Sequence, residues 1–136
     1  MTKISSARFD LEGGRLDNAV LKRYGETLVG GASGTNTGSA YTVNVANGNA
    51  FFLILNADCT FTFSNPSASG TACYFTLILK QDSTGGRLAY WPGTVAWSGD
   101  VLPILSTGAS TYDVFAFLTT NGGSTWWGFP SGASYV

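Results

Sequence analysis

The residues whose types could support a reaction are four aspartates beyond the charged opening of the chain: Asp58, Asp82, Asp100 and Asp113. Two carboxylates flanking a glycosidic bond can act as acid and nucleophile. Asp58, Asp82 and Asp100, however, stand in predicted turns, where an aspartate accepts bonds from nearby backbone amides without any functional reason. Histidine is absent, which removes the usual general base near neutral pH and the middle member of a nucleophile-base-acid relay. Cys59 and Cys73 are too few for a thiolate zinc site. Gly85-Gly86-Arg87 lacks the glycine spacing and the Lys-Ser/Thr of a phosphate loop. The expectation is a protein that is not an enzyme and carries no cofactor or metal.

The elements that would position these residues are short strands. Residues 72–80 form the longest run of strand formers, with turn residues on either side, and read as the central strand of a sheet. Phe75, Leu77 and Leu79 share one face of it, and Tyr74, Thr76, Ile78 and Lys80 the other; the apolar stripe is expected in the core. Residues 40–46 alternate Tyr41, Val43 and Val45 with Thr42 and Asn44. Asn47-Gly48-Asn49 then leads at once into residues 50–55, which suggests a hairpin. Because residues 50–55 are apolar on both faces, that strand is expected to be covered on both sides. Cys59, Phe61 and Phe63 face one way in the next strand. Residues 88–91 and 94–97 are short strands broken at Pro92-Gly93, and residues 101–105, interrupted by Pro103, form an edge or crossing segment. A last hairpin turns at Asn121-Gly122-Gly123.

Asp82 and Arg87 straddle the turn that contains Gly85 and Gly86, so an ion pair or a carboxylate-to-backbone clasp is expected to set it. Trp126 and Trp127 are adjacent in a strand and must face opposite ways, one toward the core and the other toward the surface or a subunit contact. The wider aromatic set, Tyr90, Trp91, Trp97, Trp126, Trp127 and Tyr135, is compatible with core or intersubunit packing, with contact to a different protein, or with a flat platform for sugars. Cys59 and Cys73 could meet across a hairpin, but a reduced, buried pair is the default for a chain made in a cytoplasm. Repeated short strands with glycine turns define an all-β fold, a β-sandwich or jelly-roll-like body.

Charged residues make up only 11% of the chain against 44% hydrophobic, a balance that favours burial against copies of itself or another protein. A net charge of −1 with sparse basic residues leaves no electrostatic footprint for nucleic acid. No apolar stretch reaches the ~18 residues of a membrane span, and the opening lacks a signal peptide's apolar region, so neither membrane insertion nor export by the usual route is expected. Residues 1–30 differ from the rest: they hold five of the seven basic and four of the eight acidic residues. Their apolar residues come singly, and Gly13, Gly14 and Gly25 limit any helix. This is an extended N-terminal arm, whose ordering entropy would be offset by lying along a partner. Arg8, Phe9, Leu16, Leu21, Arg23 and Tyr24 are its candidate contacts. Residues 31–39 form a Gly/Ser/Thr linker, and residues 40–136 form the body.

Several stretches resemble a module recurrent in tailed-bacteriophage virion proteins, including tail-fibre ends and small free-standing structural proteins. They are residues 58–70 (Asp-Cys-Thr-Phe-Thr-Phe-Ser-Asn-Pro-Ser-Ala-Ser-Gly), residues 75–87 from Phe75 to Arg87, Tyr90-Trp91-Pro92, Val95-Ala96-Trp97, and Asp113-Val114-Phe115 through Trp126-Trp127-Gly128. The arm residues Leu21 to Thr27 look like the lead-in often found before this module. The resemblance implies a β-rich, trimeric, noncatalytic component of a phage particle, made in the host cytoplasm. One role it allows is a capsid decoration or cement protein on the virion surface, bound to the major capsid protein. The other is a tail-fibre or receptor-binding head that recognises host surface polysaccharide. It transfers no binding residues.

Overall fold

The computed structural model describes residues 11, 12 and 14–136. Among the described residues the fold is all-β, with ten strands in two sheets. In chain order they are β1 (Leu28–Val29), β2 (Thr35–Asn36), β3 (Ala40–Asn44), β4 (Ala50–Leu55), β5 (Cys59–Ser64), β6 (Cys73–Gln81), β7 (Ala89–Tyr90), β8 (Val95–Trp97), β9 (Tyr112–Thr119) and β10 (Trp126–Tyr135). The larger sheet has the order β1-β4-β6-β9-β10-β8, with β2 also paired to β4, and the smaller has the order β3-β5-β7. As its stripe of strand formers suggests, β6 lies inside the larger sheet, between β4 and β9.

From β3 to β8 the chain changes sheet at every strand. Each strand runs parallel to the one two places earlier: β3 with β5, β5 with β7, and β4 with β6. The third winding departs from this pattern, because the antiparallel hairpin β9-β10 occupies the place beside β6 and β8 pairs instead with the outer side of β10. The hairpin expected between residues 40–46 and 50–55 is therefore not formed; those segments belong to different sheets. The Asn44 side chain accepts the Ala46 N–H at 3.1 Å and opens a single 3-10 turn, Val45–Asn47, that carries the chain across. Alternating hydrophobicity fixes which face of a strand is wet, but it does not name the neighbour.

Residues 31–39 do more than connect. After the 3-10 turn Gly31–Ser33, β2 runs parallel to β4, and the buried Thr37 donates its N–H to the Ile54 carbonyl at 2.9 Å.

The core lies between the two sheets. Val43, Cys59 and Phe61 of the smaller sheet face Phe51, Phe75, Phe117 and Trp126 of the larger, all of them buried. Phe63 bridges the layers, with its ring centroid 5.0 Å from those of Phe75 and Phe117 and 5.5 Å from Trp126, in edge-on contacts favoured by the aromatic quadrupole. Trp91 stacks on Phe61 at 5.4 Å. Gly128 is bare because the Trp97 ring lies over it: a Cβ there would come within 2.5 Å of Cζ3. Cys59 and Cys73 are free thiols, both buried and on strands of different sheets. Burial pushes the Cys59 thiol up, only partly countered by a bond with Thr37.

Candidate interaction surfaces

Three of the four aspartates hold the chain, and the fourth, Asp100, ends the 3-10 turn Ser98–Asp100 in an exposed position. Asp58 accepts the Leu88 N–H at 2.9 Å. The Asp82 Oδ1 accepts the N–H groups of Thr84 and Gly85 at 2.9 and 2.8 Å, while its Oδ2 takes two bonds from the Arg87 guanidinium at 3.1 and 2.9 Å. This is the clasp expected from the sequence. Gly85 and Gly86 have φ of 75° and 71°, left-handed values that glycine adopts without strain. The Arg87 hydrogen bond, followed by the Gly85 amide, holds the Asp82 carboxyl below its ordinary range. Asp113 is buried on β9; it accepts the Ser106 N–H at 2.8 Å, the Ser106 hydroxyl at 2.6 Å and the Ser134 N–H at 3.2 Å. It thereby ties the segment after β8 to the end of β10. Among the described residues, no three His, Cys, Asp or Glu side chains cluster as a metal site.

The six singled-out aromatics separate. Trp97 and Trp126 are buried, and Trp91 is packed against the core. Tyr90 is exposed on the smaller sheet, whereas Trp127 and Tyr135 are exposed on β10 of the larger sheet. The opposite orientation of Trp126 and Trp127 follows the expectation. The structure thus brings Trp91, Trp97 and Trp126 into one core and leaves Trp127 and Tyr135 on one outward face.

That face is the main surface feature, and register shows its extent. Tyr74 of β6 is paired with Leu118 of β9, Leu118 with Trp127 of β10, and Trp127 with Ala96 of β8. Along the next row stand Thr76, Ala116 and Phe129; below it lie Phe52, Ile78 and Val114; and then Ile54, Lys80, Tyr112 and Tyr135. Up to Phe129 these alternate with the buried positions, so their side chains leave the sheet on the side away from the core, and Tyr135, after two register shifts in β10, stands opposite the outward Tyr112. The Phe52 and Tyr112 rings lie 6.0 Å apart, and the Lys80 amine stands 5.1 Å from the Tyr112 ring centroid, a cation-π geometry. The double-sided apolarity of residues 50–55 announced this face; Phe52 and Ile54 are nevertheless only half-buried. Tyr74, Tyr112 and Phe129 were not singled out from the sequence, although the apolar character of both phases of residues 111–119 was the available signal.

A second apolar feature is the segment between β8 and β9. Val101, Leu102 and Ile104 are exposed. Pro103, Ile104 and Leu105, with Arg87, Leu88, Ala89 and Thr107, line an open cavity of about 270 Å³. The segment forms no strand.

The arm is the third. Residues 14–27 carry neither helix nor strand and are exposed, Leu16, Leu21 and Tyr24 among them, and Arg23 has a φ of 56°. Arg8 and Phe9 lie outside the described residues. The Thr27 carbonyl accepts the Ala50 N–H at 3.3 Å, and β1 then pairs with the start of β4.

The chain matches no protein-family model, no curated protein and no solved structure.

Proposed function

We propose that the protein is a noncatalytic structural component of a bacteriophage particle. In this reading it is a capsid decoration or cement protein whose arm lies across the major capsid protein while a sandwich-like β body, trimeric as the module resemblance implies, forms a rigid knob. The observation that carries the reading is the contrast at Thr27. Ahead of it, residues 14–27 hold Leu16, Val20, Leu21 and Tyr24 in water without secondary structure; behind it, buried polar side chains such as Gln81, Asp113 and Thr119 are hydrogen-bonded within the body. Isolated apolar anchors on an unstructured segment gain their stabilisation only against another surface.

The test is a chain that begins at Thr27, mixed with undecorated shells. It is expected to fold and assemble as the full chain does but to leave the shells bare in a sedimentation assay. Full occupancy by the shortened chain would overturn the arm as tether.

A second reading, a receptor-binding head for host surface polysaccharide, is favoured by the exposed Trp127 and Tyr135 on one face. Copy number separates the two: hundreds per particle for decoration, a handful at the tail for recognition.

A further inference from the structure

We infer that the outward face of the seven-stranded sheet is the surface on which copies of this chain join, with the row Tyr74, Leu118 and Trp127 at one end, Phe129 in the row beside it and Tyr135 at the other end. The inference deepens the proposed role, resting on it for an assembled body, and assigns that assembly to one face.

Strands buried on both sides read as near-continuous apolar runs, whereas strands with one wet side alternate. β4 and β9 are close to the first kind, and β6 adds Tyr74 and Ile78 beside Thr76 and Lys80, yet within one chain only their inner side is fully covered. Tyr74, Trp127, Phe129 and Tyr135 are 59%, 42%, 49% and 51% exposed. Side chains of their size bury about 150–250 Å² each, so these four alone leave roughly 400 Å² in water. With the half-buried Phe52, Ile78, Val114 and Leu118 the face reaches the upper end of the ~300–600 Å² usual for the largest apolar patch on a monomer, where such patches are often functional, and the size of the smaller interfaces, about 600 Å² per partner.

The occupant is a second copy for two reasons. Lys80 is the charged side chain among the outward positions of β4, β6 and β9, and its amine already stands over Tyr112, so the face offers little charge to a charged partner. Copies of one chain also share one sheet twist, so the same face of each fits against the others.

The experiment uses the isolated full chain with no shells present, so its outcome is independent of whether the arm tethers. Wild type is expected to sediment at ~10 μM as a multiple of its 14.3 kDa chain mass. The double variant Trp127→Glu, Phe129→Lys changes only exposed side chains; it is expected to sediment as a monomer with an unchanged far-ultraviolet dichroism spectrum. As a second measurement independent of variant folding, Thr76→Cys, whose side chain faces outward beside β4 and β9, is expected to give a cross-linked species with a short thiol-reactive linker, Cys59 and Cys73 being buried. A monomeric wild type would overturn the inference and leave the face to a different protein. An oligomer that survives the double variant but dissociates with Leu102→Glu, Ile104→Glu would overturn it in favour of the segment between β8 and β9.

Discussion

The two faces of the larger sheet are made of similar residues and have different fates. Phe75, Leu77, Phe115 and Phe117 point inward and are closed over by β3, β5 and β7; Tyr74, Ile78, Val114 and Leu118 point outward from the same two strands and meet solvent in the single chain. The smaller sheet has three strands against seven, so it covers the inner side and nothing in the described body covers the outer one completely. Hydrophobicity alone therefore does not mark what holds this fold together. What matters is whether a second layer of the same chain is present on that side.

The sharpest way to break this comparison is through the adjacent tryptophans. Trp126 is 1% exposed and touches Phe63 and Phe75, so Trp126→Ala is expected to cost ~3–5 kcal/mol in denaturant unfolding. Trp127→Ala, measured where the chain is dilute and monomeric, should cost about 1 kcal/mol or less. Equal losses would mean that the outer face stabilises the single chain as much as the inner one does.

The next effect concerns Asp113, a buried polar residue that shares the inner stripe of β9 with Phe115, Phe117 and Thr119. Replacing it with alanine leaves the Ser106 N–H without its acceptor and the Ser106 hydroxyl with Ser134 alone, and the expected loss is ~1–3 kcal/mol. Faster proteolysis within residues 101–107 should accompany it. An uncleaved segment would show that the apolar contacts of that stretch, and not the carboxylate, hold it down.

The smallest effect lies off both faces, at the turn that closes β6. The Asp82 carboxyl is held below its ordinary value of 3.8, so near that pH the unfolded chain binds more protons than the folded one. Its contribution is complete above about pH 4 and is lost as the pH falls through the folded value. Asp82→Asn should flatten that part of the acid limb in urea midpoints taken from neutral pH downward. An unaltered limb would remove the clasp from the account.

Much of this was legible in the chain. The Phe75-Leu77-Leu79 stripe, the split of Trp126 from Trp127, the Asp82–Arg87 clasp and the turn at Asn121-Gly122-Gly123 are local facts, set by a two-residue period or by a few neighbouring side chains. Strand partners were not legible, because the pattern of Tyr41, Val43 and Val45 is the same whether the neighbour is the following strand or the one after it. Asn47-Gly48-Asn49 satisfies the chemistry of a hairpin turn, yet the apolar demands of residues 50–55 place that strand in the other sheet. The outward face was visible only as an excess of apolar residues in β4 and β9, without the coordinates that gather Tyr74, Trp127 and Phe129 into one surface. The part played by Asp113 depends on Ser106 and Ser134, brought together from distant stretches of sequence.

The interposed hairpin has a consequence for synthesis. Val95–Trp97 finds its place in the sheet only against Trp126 to Gly128, so that short ladder cannot close until some thirty further residues have left the ribosome, as the positions themselves require. The windings before it can pair in the order in which they are made. At that edge the molecule is assembled out of turn, with the indole of Trp97 waiting for the bare Gly128 on which it comes to rest.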